Sequence, residues 1–152
     1  MASRGFEFSH MLDGSGATPV IRDFTLGEAS AHLVGDLMLV QADGYIDDVT
    51  STTTEVTCVM QEAVAAADIT AGTTVGKAAI ITRNQVWRCS MNAATTAFIV
   101  GVTKTIDTVD KNTISATDET GGKMILVDAS TLDDDGYVMA YVVFSDTTFG
   151  NA

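Results

Sequence analysis

The strongest strand signal in the chain is residues 137–144, YVMAYVVF. Valine, tyrosine and phenylalanine favour the pleated backbone of a strand, and the stretch contains no Gly, Pro, Asn or Asp that would end it. Apolar residues occupy both faces, which is typical of a strand covered on both sides. The stretch therefore predicts a β fold with a sizeable core.

The rest of the chain supports a β fold. It contains 22 threonines, a β-branched residue that favours strands over helices. Short apolar runs alternate with turn residues at the spacing of an all-β sandwich or barrel. Residues 61–67, QEAVAAA, have high helix propensity but are too few to hold a helix alone, so we expect one or two helical turns there. Further strands are predicted at 55–60, 97–102, 113–115 and 123–127.

Two hairpins are predicted from their turns. In the first, the strand at 33–40 is followed by Asp43-Gly44 and a return at Tyr45. Asp-Gly is a strong hairpin signal because Gly accepts a positive φ. In the second, the turn Arg83-Asn84 joins a strand at 76–82 to one at 85–89.

Residues 1–25 differ from the rest of the chain. They have no sustained period of 2 or 3.6, and the only proline and a Gly-rich break interrupt their apolar residues. Such a segment is typical of an extended arm that becomes ordered against a surface. The predicted fold is all-β, with an N-terminal arm (1–25) and a single small β-barrel or β-sandwich body (26–152). We expect deletion of the arm to leave the body folded.

Composition and charge argue against several classes of function. The chain has 152 residues and a net charge of −12, which makes nucleic acid an unsuitable direct partner because nucleic-acid binding begins with Lys and Arg neutralising phosphates. It has no run of 18 apolar residues that would span a membrane. The first residues do not resemble a secretory signal, so we expect the chain to fold in the compartment where it is made.

Catalytic and metal-binding patterns are missing from the sequence. Cys58 and Cys89 lie in apolar, strand-like runs without a CxxC pair, which predicts two reduced, buried thiols. Ser9 and His10 are neighbours in the arm, a poor place to hold a nucleophile and its base in register. We predict no catalytic residue, no cofactor and no metal ligand. Residues 133–135, DDD, lack the alternation of a calcium loop and are interpreted as a solvated turn.

The remaining possibility is a binding or structural module. Apolar residues of the arm are candidates for contact with a partner, and the only tryptophan and two neighbouring arginines are further candidates. The candidate contact residues are Phe6, Phe8, Met11, Leu12, Ile21, Phe24, Arg83, Trp87 and Arg88.

Three short motifs resemble those of the capsid decoration (cement) proteins of tailed bacteriophages. The first is Val34-Gly35-Asp36-Leu37 followed by Asp43-Gly44-Tyr45. The second is the segment 67–73, ADITAGT, followed by Ile80 and Trp87. The third is FIVGV at residues 98–102. The resemblance covers roughly residues 24–144.

This resemblance implies a β-barrel or β-tulip body, usually trimeric, at threefold positions on the outside of an expanded icosahedral head. The implied partners are the major capsid protein and two further copies of the chain. The implied location is the exterior of the virion, after synthesis in the host cytoplasm. The arm would then lie along a capsid subunit, with its phenylalanines in pockets. Strand 137–144 has no counterpart in the resemblance.

Two other functions remain open at this point. A tail-tube, baseplate or fibre-base domain would share the β composition and the arm. A carbohydrate-binding β-sandwich would display several exposed aromatics on one face, and the chain has only 7% aromatic residues.

Overall fold

A computed structural model shows an all-β chain, as predicted. Within the described ranges it forms eleven strands and a single 3₁₀ turn at Ala66–Asp68, and no helix there has the length and apolar character to cross a membrane. The described residues are 5–51, 53, 55–98, 106–119, 122–132 and 135–149, with the backbone alone for 130–132. The strands are β1 (Glu7–Met11), β2 (Ile21–Thr25), β3 (Leu37–Val40), β4 (Ile46–Asp48), β5 (Cys58–Met60), β6 (Val75–Ile80), β7 (Gln85–Ser90), β8 (Thr108–Asp110), β9 (Thr113–Ile114), β10 (Met124–Leu132) and β11 (Val138–Phe144).

The strands form two antiparallel sheets that pack as a sandwich. The four-stranded sheet has the order β1-β7-β11-β10, and the five-stranded sheet has the order β2-β6-β5-β3-β4. A separate pair, β8-β9, lies beside them. Both large sheets are open at their edges, so of the two predicted architectures the sandwich is the one that the described strands form.

The main core lies between the two sheets. Trp87 and Val142 of the four-stranded sheet and Leu37 and Val59 of the five-stranded sheet are each fully buried in it. Alternate residues of β11 enter this core, as expected for a strand. Burial of large apolar side chains at this interface is the main force that holds the sheets together.

A second, smaller core covers the opposite face of the five-stranded sheet. It contains Met38, Cys58 and Ala78, which alternate along their strands with residues of the main core. Leu26 and Ile69, from the connecting segments, close it from outside. The five-stranded sheet is therefore covered on both faces, which accounts for the many apolar residues in its short strands.

Several local predictions are confirmed. Strand β11 matches the YVMAYVVF stretch, and β3 pairs with β4 across the predicted Asp-Gly turn, where Gly44 has a φ of 86°. The helix-prone segment 61–67 contributes to a single 3₁₀ turn. Both cysteines are free and buried. The third resemblance motif and the predicted strand at 97–102 fall mostly on residues 99–102, which lie outside the described residues.

The second predicted hairpin is wrong. Strand β6 belongs to the five-stranded sheet and β7 to the four-stranded sheet, so the chain changes sheets at Arg83-Asn84 instead of turning back on itself. The side chain of Gln85 holds this corner: its Oε1 accepts hydrogen bonds from the Thr82 backbone N–H (3.0 Å) and the Trp87 indole N–H (3.1 Å).

Much of the segment that is predicted to be an arm, residues 1–25, pairs with the two sheets. Strand β1 pairs with β7 in one sheet, and β2 pairs with β6 in the other. Phe6 is 1% exposed and lies in the main core, 5.6 Å from the ring of Phe144. The predicted arm therefore contributes a strand to each sheet and a side chain to the main core, so we expect these residues to stabilise the body.

The start of the described chain is fixed by a close approach of two glycines. Gly5 has a φ of 68°, and a Cβ at this position would lie 2.8 Å from the Cα of Gly35. The Phe6 N–H donates to the Gly35 carbonyl oxygen at 2.8 Å. Only glycine combines this backbone conformation with this proximity.

Substitution of Phe6 tests whether this segment belongs to the core. We expect Phe6→Ala to lower the free energy of unfolding by about 3–5 kcal/mol, because it leaves a cavity in a packed core. The matched control is Leu12→Ala in the same segment, where a side chain that is 55% exposed is expected to cost less than about 0.5 kcal/mol. Urea unfolding of the two variants measures the difference. Equal, small effects would return residues 1–25 to the role of a separate arm.

Candidate functional site

Two chain segments run side by side around the corner at which the chain changes sheets. Residues 75–90 pass from β6 to β7, and residues 7–25 run antiparallel beside them from β1 to β2. The Leu12 N–H donates to the Asn84 carbonyl oxygen (2.7 Å), and the Ile80 N–H donates to the Val20 carbonyl oxygen (2.8 Å). The connection between β1 and β2 is longer than the one it accompanies, so a gap opens between the two segments.

This gap is an open, mainly apolar groove of about 650 Å³, which we call the corner groove. Leu12 and Val20 on its rim are each 55% exposed. Exposed apolar side chains grouped at one place are typical of a surface that binds a partner. The lining of the groove includes Met11, Leu12, Val20, Arg22, Ile80 and Arg83, together with four uncharged polar residues.

The electrostatics of the corner groove differ from those of the rest of the protein. Of the eight lysines and arginines in the chain, Arg4 and Lys104 lie outside the described residues. Four of the other six pair with carboxylates: Lys77 with Asp23, Arg88 with Glu7, Lys111 with Asp36 and Asp48, and Lys123 with Asp107.

Arg22 and Arg83 are the two that remain. Neither guanidinium forms an ion pair or a hydrogen bond with any residue that the structure describes, and both line the corner groove. In a chain with a net charge of −12, two unpaired cations at one site attract an acidic partner. The groove thus combines apolar walls with positive charge.

A smaller pocket of about 140 Å³ lies on the other side of the β1–β2 connection. Phe8, Pro19, Ile21 and Trp87 line it, and the rings of Phe8 and Trp87 are in edge-to-face contact at 5.7 Å. The indole itself is fully buried. Trp87 is therefore a core residue at the floor of this pocket and does not project towards a partner.

The structure separates the predicted contact residues into groups. Met11, Leu12 and Arg83 line the corner groove, and Phe8, Ile21 and Trp87 line the smaller pocket. The others have structural roles. Phe6 lies in the main core, Phe24 packs against the second core, and Arg88 forms an ion pair with Glu7 at 2.7 Å. Arg22 and Val20 were not among the predicted residues, because neither stands out in the sequence.

A buried polar cluster is a second candidate site. His32 is 1% exposed and Asp36 is fully buried. His32 Nδ1 lies 3.1 Å from an oxygen of Asp48, and the Lys111 ammonium lies 3.2 Å from Asp36 and 3.1 Å from Asp48. The sequence analysis missed this cluster because Lys111 is far from the other three along the chain and no spacing motif links them.

The charged groups of this cluster shift one another's pKa values. Burial acts to raise the pKa of Asp48, but the close contact with His32, the hydrogen bond from Lys111 and the charge of Lys111 outweigh it, so the pKa is lowered. For Lys111, burial acts to lower the pKa, but the hydrogen bond to Asp48 and the charges of Asp36 and Asp48 raise it. Both groups are therefore held in their charged forms.

The same cluster has the residue types of a metal site. The ligand atoms of His32, Asp36 and Asp48 lie within 4.8 Å of one another. However, the Lys111 ammonium already contacts both carboxylates, which is where a cation would bind. A metal ion would have to displace the ammonium group that already neutralises the two carboxylates. The residues therefore fit a structural ion-pair cluster better than a metal centre.

The other reactive side chains have structural environments. Lys123 pairs with Asp107 in the interior, where burial lowers the pKa of Lys123 despite this pairing. Burial raises the pKa of Cys58 to about 12 and also that of Cys89, so both thiols are poor nucleophiles at neutral pH. His10 bonds to Ser9 at 2.8 Å on an exposed strand, and no carboxylate among the described residues bonds to it.

A comparison of the chain with models of known protein families and with the sequences of characterised proteins gives no match.

Removal of Lys111 tests the polar cluster. We expect Lys111→Met to lower the free energy of unfolding by about 2–3 kcal/mol at pH 7, because Asp36 and Asp48 then face each other without a cation. Asp48 has a folded pKa below its unfolded value, so its contribution is present above that unfolded value, about 3.9, and is lost as the pH falls through the folded pKa. The gap between wild type and variant should therefore narrow as the pH falls below about 4.

The matched control is Lys77→Met, which breaks an exposed ion pair with Asp23 and should change stability little. Urea unfolding at several pH values measures both variants. A Lys111→Met variant as stable as wild type at pH 7 would contradict the assigned role of the cluster.

Proposed function

We propose that this chain is a structural protein of a virion. It binds the outer surface of an expanded icosahedral phage head as a trimer at the threefold positions, and it stabilises the shell against the packaged DNA. Its partners are the major capsid protein and further copies of itself. In this proposal it has no catalytic role.

The corner groove is the observation that carries the proposal. It places exposed Leu12 and Val20 beside unpaired Arg22 and Arg83 on a compact acidic sandwich. This combination suits contact with another protein, because apolar area supplies affinity and the charges supply orientation. A protein that assembles on a shell with copies of itself needs such a surface and needs no reactive centre.

The resemblance to capsid decoration proteins is the basis for proposing a location on the outer surface of the capsid. Its first motif forms the entry to β3 and the β3–β4 hairpin, where the Asp36 carboxylate accepts the Leu33 N–H at 2.9 Å. A small sandwich that repeats at threefold sites gains avidity from several modest contacts made together. The large negative charge keeps the outer surface of such a particle soluble.

Attachment to heads tests the proposal. The purified chain is titrated onto expanded, undecorated heads of its parent phage and pelleted with them. We expect binding to saturate at a copy number that matches the threefold positions. Unexpanded heads of the same phage are the control and should bind less, because the proposed site forms on expansion.

Absence of pelleting, with intact heads and a folded chain, would contradict the proposal. It would then favour a tail-tube, baseplate or fibre-base component, and such a chain should form rings or tubes when purified.

A further inference from the structure

The exposed apolar side chains of the sandwich fall largely into two groups. Leu12, Val20 and Ile21 belong to the corner, and each is at least 55% exposed. A second group consists of Leu33 (58% exposed), Val34 (55%) and Val109 (46%). Together they account for six of the eight large apolar side chains that are exposed within the described ranges.

The second group lies on two segments that Lys111 joins. The Lys111 carbonyl oxygen accepts the Leu37 N–H at 2.8 Å, and its ammonium donates to the Ala31 carbonyl oxygen at 2.9 Å. Asp110, beside Val109, is exposed and forms no ion pair with a described residue. We call Leu33, Val34, Val109 and Asp110 the loop patch. It has apolar side chains and a negative charge.

The corner groove and the loop patch lie at opposite ends of strand β1. At one end the Phe6 N–H donates to the Gly35 carbonyl oxygen, and at the other the Leu12 N–H donates to the Asn84 carbonyl oxygen. A strand rises about 3.3 Å per residue, so the two ends are separated by about 20 Å. The two surfaces therefore cannot cover each other within one molecule.

We propose that the corner groove of one copy binds the loop patch of the next copy. The surfaces are complementary because both are apolar, while Arg22 and Arg83 are positive and Asp110 is negative. A twofold arrangement that placed groove against groove would bring four arginines together. Contact between unlike surfaces is head-to-tail, and it closes into a ring when the rotation between copies allows it.

The inference rests on the self-association that the proposed function includes, and it names the surfaces involved. The charge of the chain supports it. Copies with a net charge of −12 repel one another. Association therefore requires local attraction, and the two unpaired arginines of the described chain provide it at one end.

Charge reversal tests the contact in the full chain without heads. We expect sedimentation equilibrium at physiological salt to give a trimer for wild type. Arg83→Glu and Asp110→Arg should each weaken association at least about tenfold, because each creates a like-charge contact. The double variant R83E/D110R restores opposite charges and the wild-type net charge, and it should recover association to within about threefold of wild type.

The matched control for Arg83→Glu places two glutamates outside the corner groove and the loop patch. This control, A42E/A71E, adds the same two negative charges at exposed positions in the β3–β4 turn and before β6. It should associate like wild type. Near-UV circular dichroism of every variant checks folding, particularly for Asp110→Arg, because the Asp110 carboxylate accepts the Asn112 N–H at 2.9 Å.

Three results would overturn the inference. The first is a wild-type chain that stays monomeric at high micromolar concentration. The second is equal weakening by Arg83→Glu and A42E/A71E, which would indicate general repulsion. The third is a double variant no better than the single ones.

Binding to heads separates this inference from the proposed function. A monomeric chain whose attachment to heads is lost in Arg83→Glu would place the capsid protein in the corner groove, which keeps the proposed function and overturns the inference. A trimer that responds as expected but does not bind heads would keep the inference and overturn attachment to the capsid.

Discussion

The pairing of residues 7–25 with residues 75–90 is the constraint on which the other features depend. It supplies an edge strand to each sheet and seals one side of the sandwich around Phe6 and Trp87. It also creates the corner groove, because the longer connection on the N-terminal side stands away from the shorter turn at Arg83-Asn84. Fold and candidate binding surface therefore have a common origin in the same backbone hydrogen bonds.

Charge has two different roles in this molecule. Away from solvent, lysines neutralise carboxylates that are buried or half-buried. Lys111 does so for Asp36 and Asp48, and Lys123 does so for Asp107. At the corner, by contrast, Arg22 and Arg83 have no acidic partner among the described residues. Arg is favoured at protein interfaces, so these two guanidiniums are the charges on which the proposed contact depends.

The sequence predicts the local features well and the long-range ones poorly. Strand β11 and the Asp43-Gly44 hairpin follow from composition and turn chemistry within a few residues. The Arg83-Asn84 turn looks equally local, yet the strands before and after it enter different sheets because sheet packing determines their partners.

Phe6 occupies an irregular stretch, and only its long-range partner, Gly35, reveals that it is a core residue. The His32, Asp48 and Lys111 cluster likewise depends on tertiary contacts. Within the candidate site, Met11, Leu12 and Arg83 were predicted, and Arg22 was not.

Native-state hydrogen exchange of the chain tests most directly whether residues 7–25 are part of the sandwich. The account predicts that amides of β1 and β2 that are bonded to β7 and β6 exchange slowly, with protection approaching that of the central strand β11. The amides of residues 13–18, which lie in the exposed connection, should exchange rapidly and serve as the internal reference. Rapid exchange throughout residues 7–25, with β7 and β11 protected, would contradict the account.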